Sequence, residues 1–309
     1  MSEIEDVRLL IRNTNWKSGP YSGFLTPTAF LSDVTGQPQV VYGAVRDELG
    51  RGVIRGVSVS DSLSVLPFDE ICFDRRNSDA FDTDGTILGH VNSVNEIIRL
   101  YYVGFRRSKK VKFQAFSGLA ESYDMGKSFV FKQRILDKQA FPFIEGNEPD
   151  IVACHWNNLD LQGNGFALIA IGNSWLKIGS VSYPKYSSYM IAVENFQYSG
   201  LISKFPQTSD IYRLGRPRFL PGEKQRIAVA TGGKPDGDYR PYFFEFMNDS
   251  FIKRADIEFP INPGHGLFCQ QQVSYPELVK WPNQTKELFL FNGDQMGIDG
   301  CFGFETEGW

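Results

Sequence analysis

Arg216-Pro217-Arg218-Phe219, Arg226-Ile227-Ala228-Val229-Ala230 and Tyr242-Phe243-Phe244-Glu245-Phe246 follow one another within a short stretch of this 309-residue chain. Each run is rich in apolar, aromatic or β-branched residues and too short for a helix. Gly, Pro, Asp and Asn bound them, which is the signature of strands joined by turns. A turn-like opening, a central apolar run and a third strand therefore make up one repeating unit.

The same unit recurs along the rest of the chain. Its central runs are Val40-Val41-Tyr42-Gly43-Ala44-Val45, Ile97-Ile98-Arg99-Leu100-Tyr101-Tyr102-Val103, Phe166-Ala167-Leu168-Ile169-Ala170-Ile171 and Leu288-Phe289-Leu290-Phe291. Its openings are Thr26-Pro27-Thr28-Ala29-Phe30, Asp84-Gly85-Thr86-Ile87-Leu88, Pro149-Asp150-Ile151-Val152 and Tyr275-Pro276-Glu277-Leu278-Val279. Third strands follow at Phe116-Ser117-Gly118-Leu119-Ala120 and Tyr189-Met190-Ile191-Ala192-Val193, and a fourth at Phe129-Val130-Phe131-Lys132. A period of about 60 residues built from four strands is how a β-propeller appears in sequence. The expected architecture is all-β, a five-bladed β-propeller with four-stranded blades, forming a single domain over residues 1–309. The last unit ends at Cys301-Phe302-Gly303-Phe304 and lacks a fourth strand, while Val7-Arg8-Leu9-Leu10-Ile11 precedes the first unit without a partner. Docking that segment as the missing outer strand closes the ring and removes two exposed sheet edges. A β-sandwich with a frayed tail is the alternative.

Composition narrows the function. With 42 % apolar residues the chain is not disordered, and a net charge of -4 disfavours nucleic acid as the main partner. No apolar run approaches the roughly 20 residues of a membrane span, and Met1-Ser2-Glu3-Ile4-Glu5-Asp6 is acidic where a secretory signal is basic. Cys72, Cys154, Cys269 and Cys301 are scattered without CxxC spacing, as expected of free thiols in the cytoplasm. His90, His155 and His265 lack metal-type spacing and read as structural residues, with His155 and His265 as those nearest the channel. No metal and no cofactor is expected. Gly232-Gly233-Lys234-Pro235 fails as a phosphate loop, Gly50-Arg51-Gly52 as a dinucleotide fingerprint, and Asp82-Thr83-Asp84-Gly85 as a calcium hand. Arg106-Arg107-Ser108-Lys109-Lys110 reads as a solvated hairpin loop, with contact to an anionic glycan or nucleotide diphosphate as the alternative.

In a propeller the innermost strand of each blade lines a central channel. The openings then gather Thr26, Thr28, Asp82, Asp84, Asp150, Arg216, Tyr275 and Glu277 around one axis. Carboxylates accept hydrogen bonds from sugar hydroxyls and aromatic faces stack on sugar C–H bonds. A ring of acids with an arginine and aromatics therefore suits a carbohydrate or sugar-nucleotide ligand.

Trp16 to Asp47, Phe81-Asp82-Thr83-Asp84-Gly85, Leu100-Tyr101-Tyr102-Val103-Gly104-Phe105, the run Ser117 to Gly126, Tyr275-Pro276-Glu277-Leu278-Val279 and Leu290-Phe291-Asn292-Gly293-Asp294-Gln295-Met296-Gly297 resemble the five-bladed propellers related to glycoside hydrolase family 43. The resemblance is closest to uncharacterised members associated with surface-polysaccharide biosynthesis. It implies an enzyme that cleaves or transfers a glycosidic bond on a surface glycan or its precursor. Three acids at the funnel floor are implied as well: a base, an acid and a third carboxylate that tunes the acid.

Asp84 is the candidate general base or hydroxyl-binding carboxylate, with a turn-forming role before Gly85 as the plain alternative. Glu277 lies in an inner strand, where an unpaired carboxylate is costly, and is the candidate proton donor; a salt bridge to Arg216 is its alternative. Asp150 is the candidate third carboxylate. Asp82, Arg216, Arg46, Asp47, Tyr275 and Asn292 are the candidate substrate-binding residues, with strand-end turn caps as the alternative for Arg46, Asp47 and Asn292. The first inner strand, Gly23-Phe24-Leu25-Thr26-Pro27-Thr28, carries no Asp where the hydrolases keep their base. A non-catalytic carbohydrate-binding propeller and an assembly scaffold therefore stand beside the enzyme.

Overall fold

The computed structural model describes residues 8–12, 21–30, 39–59, 65–76, 80–136, 141–144, 148–209, 211–221, 226–235, 239–261, 269, 271–280 and 287–306. Strand β1 (Arg8–Arg12) comes first. Four antiparallel strands follow as one sheet: β2 (Ser22–Phe30), β3 (Gln39–Arg46), β4 (Gly52–Val59) and β5 (Val65–Phe73). The second unit is β6 (Thr86–Val94), β7 (Ile97–Arg106), β8 (Gln114–Ser122) and β9 (Val130–Arg134). The third is β10 (Ile151–Leu159), β11 (Gly165–Ile178), β12 (Val181–Glu194) and β13 (Gln197–Lys204). A short parallel contact, Ile151 with Ala115 and Val152 with Phe116, merges the second and third units into one eight-stranded sheet. The fourth unit is β14 (Arg213–Phe219), β15 (Ile227–Gly233), β16 (Tyr239–Met247) and β17 (Ser250–Lys253). The last holds β18 (Ser274–Lys280), β19 (Glu287–Asn292) and β20 (Gly300–Thr306), with a four-residue helix, Asp294–Gly297, before β20.

The apolar runs legible in sequence are the second strands, and the reason is burial. β3, β15 and β19 are almost wholly buried because both faces of their sheets are covered. Outer strands such as β13 alternate instead, one face wet and one dry. Three hairpins close with two-residue turns whose central residues both have positive φ: Asn95-Glu96, Asn195-Phe196 and Asn248-Asp249. This turn matches the right-handed twist of the flanking strands, and Asn tolerates the left-handed region that it needs.

Every apolar cluster joins a unit to its successor. Leu25 and Tyr42 pack with Leu88 and Tyr102, and Leu119 with Val152 and Ile169. Met190 packs with Leu214 and Phe244, and Phe243 with Leu278 and Phe289. A further cluster joins the last unit back to the first: Val279, Leu290 and Cys301 pack with Phe24, Val41, Val53 and Ile11. β1 pairs antiparallel with β20, Arg8 opposite Gly303 and Ile11 opposite Cys301. This is the pairing expected from the missing strand of the last unit; Val7, the first residue of the expected segment, lies outside the described residues.

The five inner strands share one irregularity that shapes the axis. β2, β6, β10, β14 and β18 each slip register against their neighbours, at Leu25/Thr28, Leu88/His90, Cys154/Trp156, Gly215/Arg218 and Ser274/Glu277, with a second slip in β2 at Ser22/Leu25. In three of them the slip falls on an X-Pro pair, and Thr26, Arg216 and Tyr275 take φ of 53°, 50° and 57°. Such a backbone costs about 1–3 kcal/mol per residue and persists only where neighbours over-determine it. Here the Thr26 amide donates to Asn292 Oδ1 at 2.8 Å and the Tyr275 amide to Thr231 Oγ1 at 2.9 Å. Bulges bend a strand and re-aim its side chains and carbonyls, and these five lie around one axis.

Ile11 is only 1 % exposed at the seam between the last unit and the first. Replacing it with alanine should cost about 2–5 kcal/mol, the usual range for an Ile→Ala cavity, measured by denaturant unfolding. Deleting residues 1–12 should abolish the single cooperative transition. A truncated chain that unfolds like the intact one would show that β1 carries no stability.

Candidate functional site

Two arginines of β14 occupy the axis. Arg216 Nη1 donates to the Leu88 carbonyl at 2.6 Å, and Nη2 reaches the Thr26 and Pro27 carbonyls at 3.0 and 3.2 Å and Thr28 Oγ1 at 3.0 Å. Arg218 Nη2 reaches the Gly89 carbonyl at 3.1 Å and the His155 carbonyl at 3.5 Å, while its other terminal nitrogen pairs with the Glu277 carboxylate. Together they bond to β2, β6, β10 and β18 from β14, so two side chains tie all five inner strands. Each is 2 % exposed. Burial pushes the Arg216 guanidinium down to about 9, opposed by Tyr275, so it is charged at neutral pH.

This plug divides the axis into two cavities. A funnel of about 460 Å³ opens where the inner strands begin. Thr26, His155, Arg216 and Tyr275 line it from the inner strands, with Arg46, Arg213 and Tyr239 around them. Val181 to Pro184 of the long β11–β12 hairpin lean over one side. The second cavity, at the far ends of the inner strands, measures about 1340 Å³ and is lined by His90, Trp156, Asn157, Arg218 and Glu277 among others.

The acids expected at one floor are not brought together. Glu277 faces the far cavity and pairs with Arg218, not with Arg216. Asp84 lines a side pocket of about 340 Å³ beside Arg46, Thr86 and Lys112, and its carboxylate accepts the Arg107 amide at 2.6 Å. Asp150 accepts from Gln114 Nε2 at 3.2 Å and Trp175 Nε1 at 3.3 Å, at the junction of β8, β10 and β11. Asp82 is fully buried between Arg75 Nε at 2.9 Å and the Tyr102 hydroxyl at 2.6 Å. Asp47 caps its turn through the Leu49 and Arg51 amides and binds the Arg51 and Arg76 side chains. Asn292 is enclosed, donating to the Phe24 and Gly300 carbonyls at 2.7 and 2.9 Å. Of the candidate catalytic and substrate-binding residues only Arg46, Arg216 and Tyr275 line the funnel, together with Thr26 and His155, which were expected near the axis.

The reason is local. The bulges turn inner-strand carbonyls toward the axis, and carbonyls call for donors, not carboxylates. Sequence reading missed Arg213, Arg218, Tyr183, Tyr186 and Tyr239. Three arginines in the six residues Arg213 to Arg218 were a usable signal, since cations that dense in an inner strand must meet something. Tyr183 and Tyr186 offered none, because they reach the funnel only through the overhanging hairpin. His265, expected near the channel, lies outside the described residues.

No protein-family model matches the chain, and no curated protein matches it in sequence. Solved structures do match in fold. A thermostable family-43 glycoside hydrolase shares 10 % identity at a TM-score of 0.61, over 94 % of this chain and 90 % of that one. An endo-arabinase from Bacteroides thetaiotaomicron shares 13 % at 0.58, over 99 % and 98 %. Levansucrase of Bacillus subtilis, solved in complex with oligosaccharides, shares 9 % at 0.60, over 96 % and 86 %. The chain thus has the all-β propeller fold of these carbohydrate-acting enzymes, at identities where only the fold carries over.

Two measurements test the axis. Arg218→Leu strands Glu277, and breaking such a buried pair should cost about 3–5 kcal/mol; adding Glu277→Leu should recover part of that, and a double variant no better than the single would exclude the coupling. His90 supplies a pH test. Burial, then Arg218 and Arg216, push its imidazole from 6.5 down to about 3. Between those values the unfolded chain binds a proton that the folded chain does not, so stability falls as pH drops through that window. His90→Gln should flatten the fall in unfolding free energy between pH 6.5 and 3. An unchanged slope would mean that His90 titrates normally.

Proposed function

We propose that this chain is a single-domain, five-bladed β-propeller, sealed by β1 against β20, that binds a carbohydrate in the axial funnel without cleaving it by a two-carboxylate route. One observation carries this reading: among the described residues, no Asp or Glu lines the funnel. Glycosidases need two carboxyl groups flanking the scissile bond, and Asp84, Asp150 and Glu277 lie outside this cavity, each held by other partners. What remains suits binding. The volume is that of a small-molecule site, and tyrosines present an apolar face with a polar tip.

The matched structures, a family-43 hydrolase, an arabinase and a levansucrase, support a saccharide as the ligand. A cytoplasmic setting and a surface-glycan precursor complete the proposal. All four cysteines are buried free thiols, which suits a reducing compartment.

The test pairs glycan binding with turnover. Calorimetry against glycans selected on an array should give saturable binding, and nitrophenyl glycosides and nucleotide sugars should give no turnover. Tyr183→Ala should weaken binding about tenfold, the loss expected for one aromatic contact near 1.4 kcal/mol. Turnover that disappears in Asp84→Asn and Glu277→Gln would overturn the binding reading in favour of a hydrolase or transferase.

A further inference from the structure

Among the described residues, every charged side chain that lines the funnel is cationic. Arg46, Lys112, Arg213 and Arg216 are its charged residues, with His155 beside them. Arg213 and Arg216 are 4 % and 2 % exposed, and among the described residues neither has a carboxylate partner within ion-pair distance. Their terminal nitrogens serve neutral acceptors: Arg213 Nη2 donates to the Lys234 carbonyl at 3.0 Å, and Arg216 donates to three backbone carbonyls and the Thr28 hydroxyl as given above. Each keeps a buried Nε–H with no acceptor, and His155 Nδ1 is likewise buried and unbonded.

The aromatic walls orient these cations. Arg213 lies over the Tyr239 ring at 4.5 Å and the Tyr183 ring at 5.5 Å, and Arg216 over Tyr275 at 5.6 Å. Arg46, Arg213 and Arg216 line the same cavity. Burial and Tyr186 push the Tyr275 hydroxyl up to about 12, against the opposing fields of Arg216, Arg46 and Arg213.

A buried charge without a counter-charge is costly, and ring faces offset only part of that cost. We infer that the counter-charge arrives with the ligand: the funnel takes a saccharide bearing an oxyanion, a carboxylate or a phosphate ester, seated against Arg46, Arg213 and Arg216. This rests on the funnel being a carbohydrate site and adds the charge class of its ligand. Planar guanidinium groups suit carboxylate and phosphate alike, so the shared chemistry is the oxyanion on a sugar.

The experiment uses the full chain on a glycan panel carrying matched pairs: uronosides with their methyl esters, and sugar phosphates with their parent sugars. Inorganic phosphate and acetate serve as sugar-free anions. Bound members should be acidic, and esterification or removal of phosphate should lower affinity at least about tenfold, one charge-assisted hydrogen bond. Which pair responds identifies the carboxylate or the phosphate as the source. Arg46→Gln should narrow the gap between matched members about tenfold, as should Arg213→Gln if it keeps the parent melting profile; Arg46 is half-buried with no described hydrogen bond, so its variant keeps the test available. Neutral sugars that bind as tightly as acidic ones would overturn the charge class and leave the binding site standing. Free phosphate or acetate that binds as tightly as the acidic sugars would overturn the saccharide. Binding of nothing on the panel would overturn both this inference and the carbohydrate site.

Discussion

Two guanidinium groups on one strand hold the axis of this molecule. Arg216 and Arg218 donate to the carbonyls that the inner-strand bulges aim inward, and between them they reach every other inner strand. An ammonium carries three donors on a single point, whereas a guanidinium spreads five across a rigid plane. The wider spread lets one side chain span carbonyls of separate strands. The bulges and the arginines depend on one another, because each bulge exposes acceptors that would otherwise be buried unbonded.

That arrangement decides where acids can sit. A carboxylate at the floor of the funnel would face inward-pointing carbonyls and lose its own donors. Accordingly Glu277 stands on the far side of the plug, where Arg218 neutralises it, and Asp82 is taken up by Arg75 and Tyr102. The enzymes matched in fold and this chain share an all-β propeller fold, and a fold specifies no chemistry of its own. What a propeller does is set by the few side chains that the inner strands turn toward the axis, and here those side chains are donors and cations.

Much of the fold was legible in sequence because it follows from local rules repeated around the chain. Apolar runs such as Val40 to Val45 and Leu288 to Phe291 mark strands buried on both faces, and Asn-led turns close the hairpins. Even the pairing of the N-terminal strand with the last unit followed from a strand count, since an unpaired edge and an unpaired strand complete each other. The site was legible only as a neighbourhood. Arg46, Arg216 and Tyr275 line the funnel, while Asn292 and Asp82, polar residues in the same region, are engaged in internal hydrogen bonds.

The sequence by itself determined the strand pattern, its repetition and the convergence of the inner strands, because hydrophobic periodicity and turn chemistry act over a few neighbouring residues. Tertiary structure alone decided which side chains meet at the axis. A register slip of one or two residues sends a side chain to the funnel or to the opposite cavity, and Arg216 and Arg218, two residues apart, line different cavities. The placement of Arg216 at the funnel is settled by partners up to 190 residues away in sequence, a distance at which no local pattern carries information.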